Sequence, residues 1–162
     1  MQIELLRHDG RDWSRPFPAL DSDRTLLLVF GASSFLDNAE PINELVTAFP
    51  SSHIVGCSSS GEIFEDTISD DSLAVAVAQF GATDVRVAVT PIRSESSVAA
   101  GVELARQLAE PDLSAVLVLS EGLDVNGSDL VEGLNEHLPG VTITGGLAGD
   151  GDRFEQTWTL VD

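Results

Sequence analysis

The apolar positions of this chain fall into short runs separated by polar, glycine-rich turns. Leu26-Leu27-Leu28-Val29-Phe30 is a continuous apolar run closed by Gly31, the pattern of a strand buried on both faces. From Ala39 to Phe49 the period changes to that of a helix. Asn38 stands at the cap, Pro41 in the first turn, and Ile42, Leu45, Val46 and Phe49 share one face. Pro50 stops it, and His53 to Cys57 returns as a strand. A β-α-β unit of this length predicts a right-handed parallel crossover.

Further along, Leu73, Val75 and Val77 alternate with small residues, and after Gly81 the residues Val85, Val87 and Val89 alternate with Arg86 and Ala88. Together they predict an antiparallel hairpin. Val98 to Leu108 and Ser128 to Leu138 read as amphipathic helices, Ala115 to Leu119 and Val141 to Thr144 as strands, and Phe154 to Val161 as a last strand. Residues 1–24 show no sustained period and read as an extended lead-in. The expected architecture is α/β: a mixed parallel and antiparallel sheet with packed helices, a layered sandwich in a single domain over residues 25–162. The last strand runs to the final residue, as expected of a fragment truncated at its C-terminal end.

At 162 residues, one domain buries roughly 70% of the surface its unfolded chain would expose. No apolar run approaches the ~20 residues of a membrane span, and the opening residues do not read as a signal peptide. The expectation is a cytoplasmic protein. Twenty-seven acids face eight basic residues, all arginine, for a net charge of −19. Nucleic-acid phosphates and anionic membranes both require a basic footprint, so neither is an expected partner. With no lysine there is no P-loop or Schiff-base lysine. Such an acid excess suits a salt-adapted source; a melting temperature that fails to rise from low to molar salt would count against it.

Three glycine-rich turns follow strands: Gly56 to Gly61, Ser120-Glu121-Gly122, and Gly145 to Gly151. In parallel sheets, ligands bind where such loops gather at the carboxyl ends of strands; α/β connections are also glycine-rich for purely structural reasons. Gly56 and Gly61 have P-loop spacing, but Glu62-Ile63 stands where Lys-Ser/Thr is required. The run also lacks the second glycine of a Gly-x-Ser-x-Gly elbow. Cys57, the only cysteine, reads as a small buried hydrophobe, and His53 lies roughly 13 Å from it along a strand. His8 and His137 read as surface residues. Asp150-Gly151-Asp152 lacks the remaining ligands of a calcium loop, so no metal and no cofactor is expected.

The run Val55-Gly56-Cys57-Ser58-Ser59-Ser60-Gly61-Glu62-Ile63 resembles the signature of the FIST N-terminal domain, and Gly145-Gly146-Leu147-Ala148-Gly149-Asp150 resembles that family's second signature. The resemblance covers residues 25–162. It implies an intracellular sensory domain of a signal-transduction protein that binds small ligands such as amino acids, without catalysis of its own. It also implies as partner a C-terminal FIST domain or a signalling output domain. The ligand-binding residues expected are Gly56, Cys57, Ser58, Ser59, Ser60, Gly61 and Glu62, with Gly145, Gly146, Gly149 and Asp150. Hydroxyls and backbone N–H groups would take a ligand carboxylate, and Glu62 or Asp150 an ammonium group. Two alternatives stand beside this reading: a module that docks its C-terminal partner or a twin chain through an open sheet edge, and a hydrolase or transferase using Cys57 or a serine.

Overall fold

The computed structural model describes residues 1–151 and 153–162. In chain order its elements are β1 (Gln2–His8), β2 (Thr25–Gly31), α1 (Glu40–Ala48), β3 (His53–Ser58), β4 (Glu62–Phe64), β5 (Thr67–Ser69), β6 (Leu73–Gln79), α2 (Ser97–Leu108), β7 (Ala115–Ser120), α3 (Gly127–His137), β8 (Thr142–Leu147) and β9 (Thr159–Val161). The class is α/β with parallel and antiparallel strands mixed, as the apolar pattern predicts. The chain divides into two compact units, one formed by residues 1–85 with 149–162 and the other by residues 86–148.

The first unit is built on a five-stranded sheet of order β1-β6-β2-β3-β9. β2 and β3 are parallel, with Val29 opposite Gly56 and Gly31 opposite Ser58. β6 runs antiparallel to both β1 and β2, and β9 antiparallel to β3. Leu27 and Val29 of β2, Leu73, Val75 and Val77 of β6, and Ile54 of β3 bury one face against Leu45 and Phe49. Each such side chain stabilises the fold by about 1.5–3 kcal/mol on burial. The other face of β2, carrying Leu26, Leu28 and Phe30, is half-buried, so this strand is not enclosed on both sides as its apolar run suggests.

Residues 1–24 are more than a lead-in. Gln2–His8 pairs with β6 along its whole length. His8 is buried rather than on the surface: it stands edge-on to Trp13 and Phe35, and its Nδ1 accepts from the Gly10 N–H at 3.2 Å. Trp13, Phe17 and Phe49 continue the edge-to-face series, at 5.1 and 6.1 Å between centroids. These aromatic contacts are worth about 0.5–1.5 kcal/mol each beyond their burial. β1 also explains why the hairpin expected over residues 73–89 does not form. It fills one edge of β6 and β2 fills the other, so no edge remains for Val85–Val89, which carries no strand.

In the second unit β7 and β8 form a parallel pair, Val116 opposite Ile143. Val116 packs with Ala100, Ala105, Leu130, Leu134 and Leu138 of the helical layer. Asn126 caps α3, its Oδ1 accepting from the N–H groups of Ser128 and Asp129 at 3.1 and 3.3 Å. α2 and α3 meet at two glycines. A Cβ on Gly101 would lie 2.2 Å from the Leu130 carbonyl oxygen, and one on Gly133 2.2 Å from that of Val98. Only residues without a side chain allow this approach. β8 continues to Leu147, three residues beyond its expected end, because Gly145 and Gly146 pair with Val118 and Leu119 instead of turning.

Candidate functional site

The parallel strands β2 and β3 end together at Gly31 and Ser58. Beyond them the serine run is held to the sheet: the Ser59 N–H donates to the Gly31 carbonyl at 2.9 Å. Gly56 lies flush against β2, where a Cβ would meet the Val29 carbonyl oxygen at 2.1 Å, so its role is close strand packing. Cys57 is buried, and burial pushes its thiol above the ordinary cysteine range, which leaves it protonated and unreactive.

Ser58 is 1% exposed. Its N–H donates to the Trp158 carbonyl at 3.0 Å, its Oγ accepts from the Trp158 N–H at 3.1 Å, and its carbonyl accepts from the Gly149 N–H at 2.9 Å. Glu62 is 2% exposed. One carboxylate oxygen accepts from Ser59 Oγ at 2.8 Å, and the other from Ser72 N–H at 3.2 Å and Ser72 Oγ at 3.0 Å. The carboxylate thus ties the serine run to the start of β6. Gly61 (φ +147°) opens the β4–β5 hairpin, an element with no signal in the hydrophobic pattern.

The second glycine-rich segment meets the first here. A Cβ on Gly149 would lie 2.5 Å from Ser60 Oγ, and that oxygen accepts from the Gly151 N–H at 3.1 Å. The buried Asp150 carboxylate gathers the N–H groups of Phe154, Glu155 and Gln156 at 3.2, 2.7 and 3.0 Å. These backbone groups are therefore absent from any ladder, and the last strand shrinks from the expected Phe154–Val161 to Thr159–Val161. The same bonds, led by that from Gln156, hold the Asp150 carboxyl below its ordinary range. A depressed folded pKa contributes stability above the unfolded value, and loses it as pH falls through the folded one. We expect Asp150→Asn to flatten the acid limb of a plot of melting temperature against pH below about pH 4. An unchanged limb would show that the carboxylate does not hold the segment.

Arg153, which the sequence reading missed, donates from Nε to the Asp150 carbonyl at 3.2 Å and from Nη2 to Ser33 Oγ. Ser33 and Ser72 were missed as well, because nothing in their local sequence marks them as neighbours of this loop. Beyond the carboxyl ends of β2 and β3, Ser59 bonds the buried Glu62 carboxylate, Ser60 bonds the Gly151 N–H next to the buried Asp150, and Arg153 bridges the Asp150 carbonyl and Ser33. Asp152 lies outside the described residues. Gly145 and Gly146 belong to the second unit, where they line a pocket of about 290 Å³ with Val118, Gly127, Leu130, Val131, Ile143 and Leu147. Among the described residues no group of three His, Cys, Asp or Glu side chains is placed to hold a metal ion.

The family model of the FIST N domain matches residues 25–162. The chain belongs to the FIST N domain family. No curated protein and no solved structure matches it. FIST domains are signalling-associated sensory domains, which fits a protein without catalysis of its own. In this FIST domain the Gly56–Glu62 run and the Gly149–Asp150 segment form one hydrogen-bonded clasp. No helix among the described residues is long and apolar enough to cross a membrane.

Proposed function

We propose that this FIST domain is the cytoplasmic sensory input of a signal-transduction protein, and that it binds a small metabolite of the amino-acid class at the carboxyl ends of β2 and β3. One observation carries the reading: where two parallel strands end, the Ser59 hydroxyl bonds the Glu62 carboxylate, the Ser60 hydroxyl bonds the Gly151 N–H beside Asp150, and the Arg153 guanidinium bonds the Asp150 carbonyl and the Ser33 hydroxyl. A guanidinium has five donors, enough to bind a ligand carboxylate while keeping its bonds to Ser33 and Asp150. The Glu62 oxygen that accepts only from Ser59 is the acceptor for an ammonium group, which would replace the Ser59 hydroxyl. Ligand arrival would release Ser59, and that release is the change a signalling partner reads.

A thermal-shift screen with the common amino acids tests this. Ligand at a hundredfold its Kd stabilises by about 2.7 kcal/mol, or very roughly 5–10 °C in a domain of this size. Arg153→Ala abolishes the shift, read against that variant's own ligand-free melting temperature, because it also removes the bonds to Ser33 and the Asp150 carbonyl. Glu132→Ala, an exposed change on α3, keeps it. A screen with no shift for any amino acid would sink the proposal.

A second reading, docking of a C-terminal FIST domain or an output domain, or pairing of two copies, is favoured by β9. Among the described residues this strand pairs with β3 alone in the five-stranded sheet and leaves its outer edge open.

A further inference from the structure

We infer that the outer edge of β8 is a strand-addition groove that takes an extended, arginine- or lysine-flanked peptide segment of a partner protein. The inference rests on the second unit alone and is independent of the small-ligand reading. Thr142 and Ala148 donate their N–H groups to the carbonyls of Ser114 and Ser120, at 3.2 and 2.8 Å. The period of two along a strand then turns Thr144 and Gly146 the same way, and directs the N–H groups of Ile143, Gly145 and Leu147 to the opposite edge. Among the described residues no strand pairs there. Thr142, Thr144, Gly145, Gly146 and Leu147 are all exposed.

Gly146 is the most telling of these. A Cβ on it would have nothing within 4 Å, and its φ lies outside the left-handed region, so neither packing nor conformation in this chain requires glycine. A strand glycine in open space suits the close approach of another backbone. Beside it lies the pocket of about 290 Å³, floored by Val118, Leu130, Val131 and Ile143. Such a floor accepts the alternate side chains of an added strand, while the main chain supplies the pairing.

Charge selects the occupant. Between Gln107 and Ala148 there is no arginine or lysine, whereas Glu110, Asp112, Glu121, Asp124, Asp129, Glu132 and Glu136 are all acids. A second copy would bring −19 against −19, so a cationic partner is favoured.

The test uses the full chain and fluorescently labelled peptides of alternating valine and threonine, flanked at both ends by arginine or by glutamate. At low ionic strength the arginine-flanked peptide should slow hydrogen exchange at the amides of Ile143, Gly145 and Leu147. It should also bind at least tenfold more tightly than the glutamate-flanked one, with the gap closing at molar salt. Gly146→Leu and Val131→Glu should each weaken binding at least tenfold, Gly146→Leu without lowering the melting temperature, while Asp23→Ala, an exposed change in the first unit, binds as the parent does. The inference is overturned by unprotected amides at these three positions under a saturating peptide concentration. It is equally overturned if both groove variants bind like the parent, or if a dimer already protects these amides and the peptide does not displace it.

Discussion

Glu62→Ala is expected to destabilise the protein by about 3–4 kcal/mol, lowering its melting temperature by roughly 6–16 °C. The carboxylate is 2% exposed and accepts three bonds, one from Ser59 in its own loop and two from Ser72 at the start of β6. Truncation leaves the Ser72 N–H and hydroxyl as buried donors without an acceptor, at about 1–3 kcal/mol for each unsatisfied group. It also removes charge-assisted bonds worth about 1.5–3 kcal/mol each, partly offset because an alanine no longer has a charge to desolvate. Glu62→Gln should fall between, since one amide oxygen can still accept from Ser72 while the NH₂ faces the Ser59 hydroxyl. Urea titrations of the three proteins measure the differences. A loss below about 1 kcal/mol for Glu62→Ala would mean that the clasp does not hold the loop.

Gly133→Ala should cost as much, and its sign makes it the sharper test. In an ordinary helix interior, glycine to alanine stabilises by about 1 kcal/mol through propensity alone. Here the new Cβ would stand 2.2 Å from the Val98 carbonyl oxygen of α2, and the reciprocal change Gly101→Ala would stand 2.2 Å from that of Leu130. Both obstacles are backbone atoms, so no side-chain rotation relieves them and the helices must separate. That separation opens voids around Ala105 and Leu134, which are fully buried between them. We expect a net loss of about 3 kcal/mol for either variant, by overpacking and lost contact. The double variant should lose less than the sum, since one displacement relieves both clashes. Stabilisation by either single change would refute this account of the helix crossing.

Both predictions turn on residues whose importance lies in distant partners. Glu62 was legible as an acid beside a serine run and was assigned to an ammonium ligand. Its donors include Ser72, ten positions on, and nothing local to either residue announces the pairing. Asp150 likewise stood out, but the three backbone N–H groups it gathers come from a segment that reads as a strand. The hydroxyl-rich turn stands out in the sequence, while its bonding partners Gly31, Gly149, Gly151 and Trp158 come from distant parts of the chain.

By itself the sequence determined the helices α1, α2 and α3, the strands β2, β3, β6 and β7, the α/β class and the FIST resemblance. These rest on local periodicity, on stops such as Pro50 and Gly31, and on contiguous motifs. Tertiary structure alone decided that β1 fills the edge meant for a hairpin partner, that His8 is buried, and that Gly145 and Gly146 prolong a strand. It also decided which carboxylates are enclosed and which glycines carry a helix crossing. Local periodicity reports what one segment can bury; pairing, enclosure and close approach depend on which other segment arrives, and that is settled only when the whole chain packs.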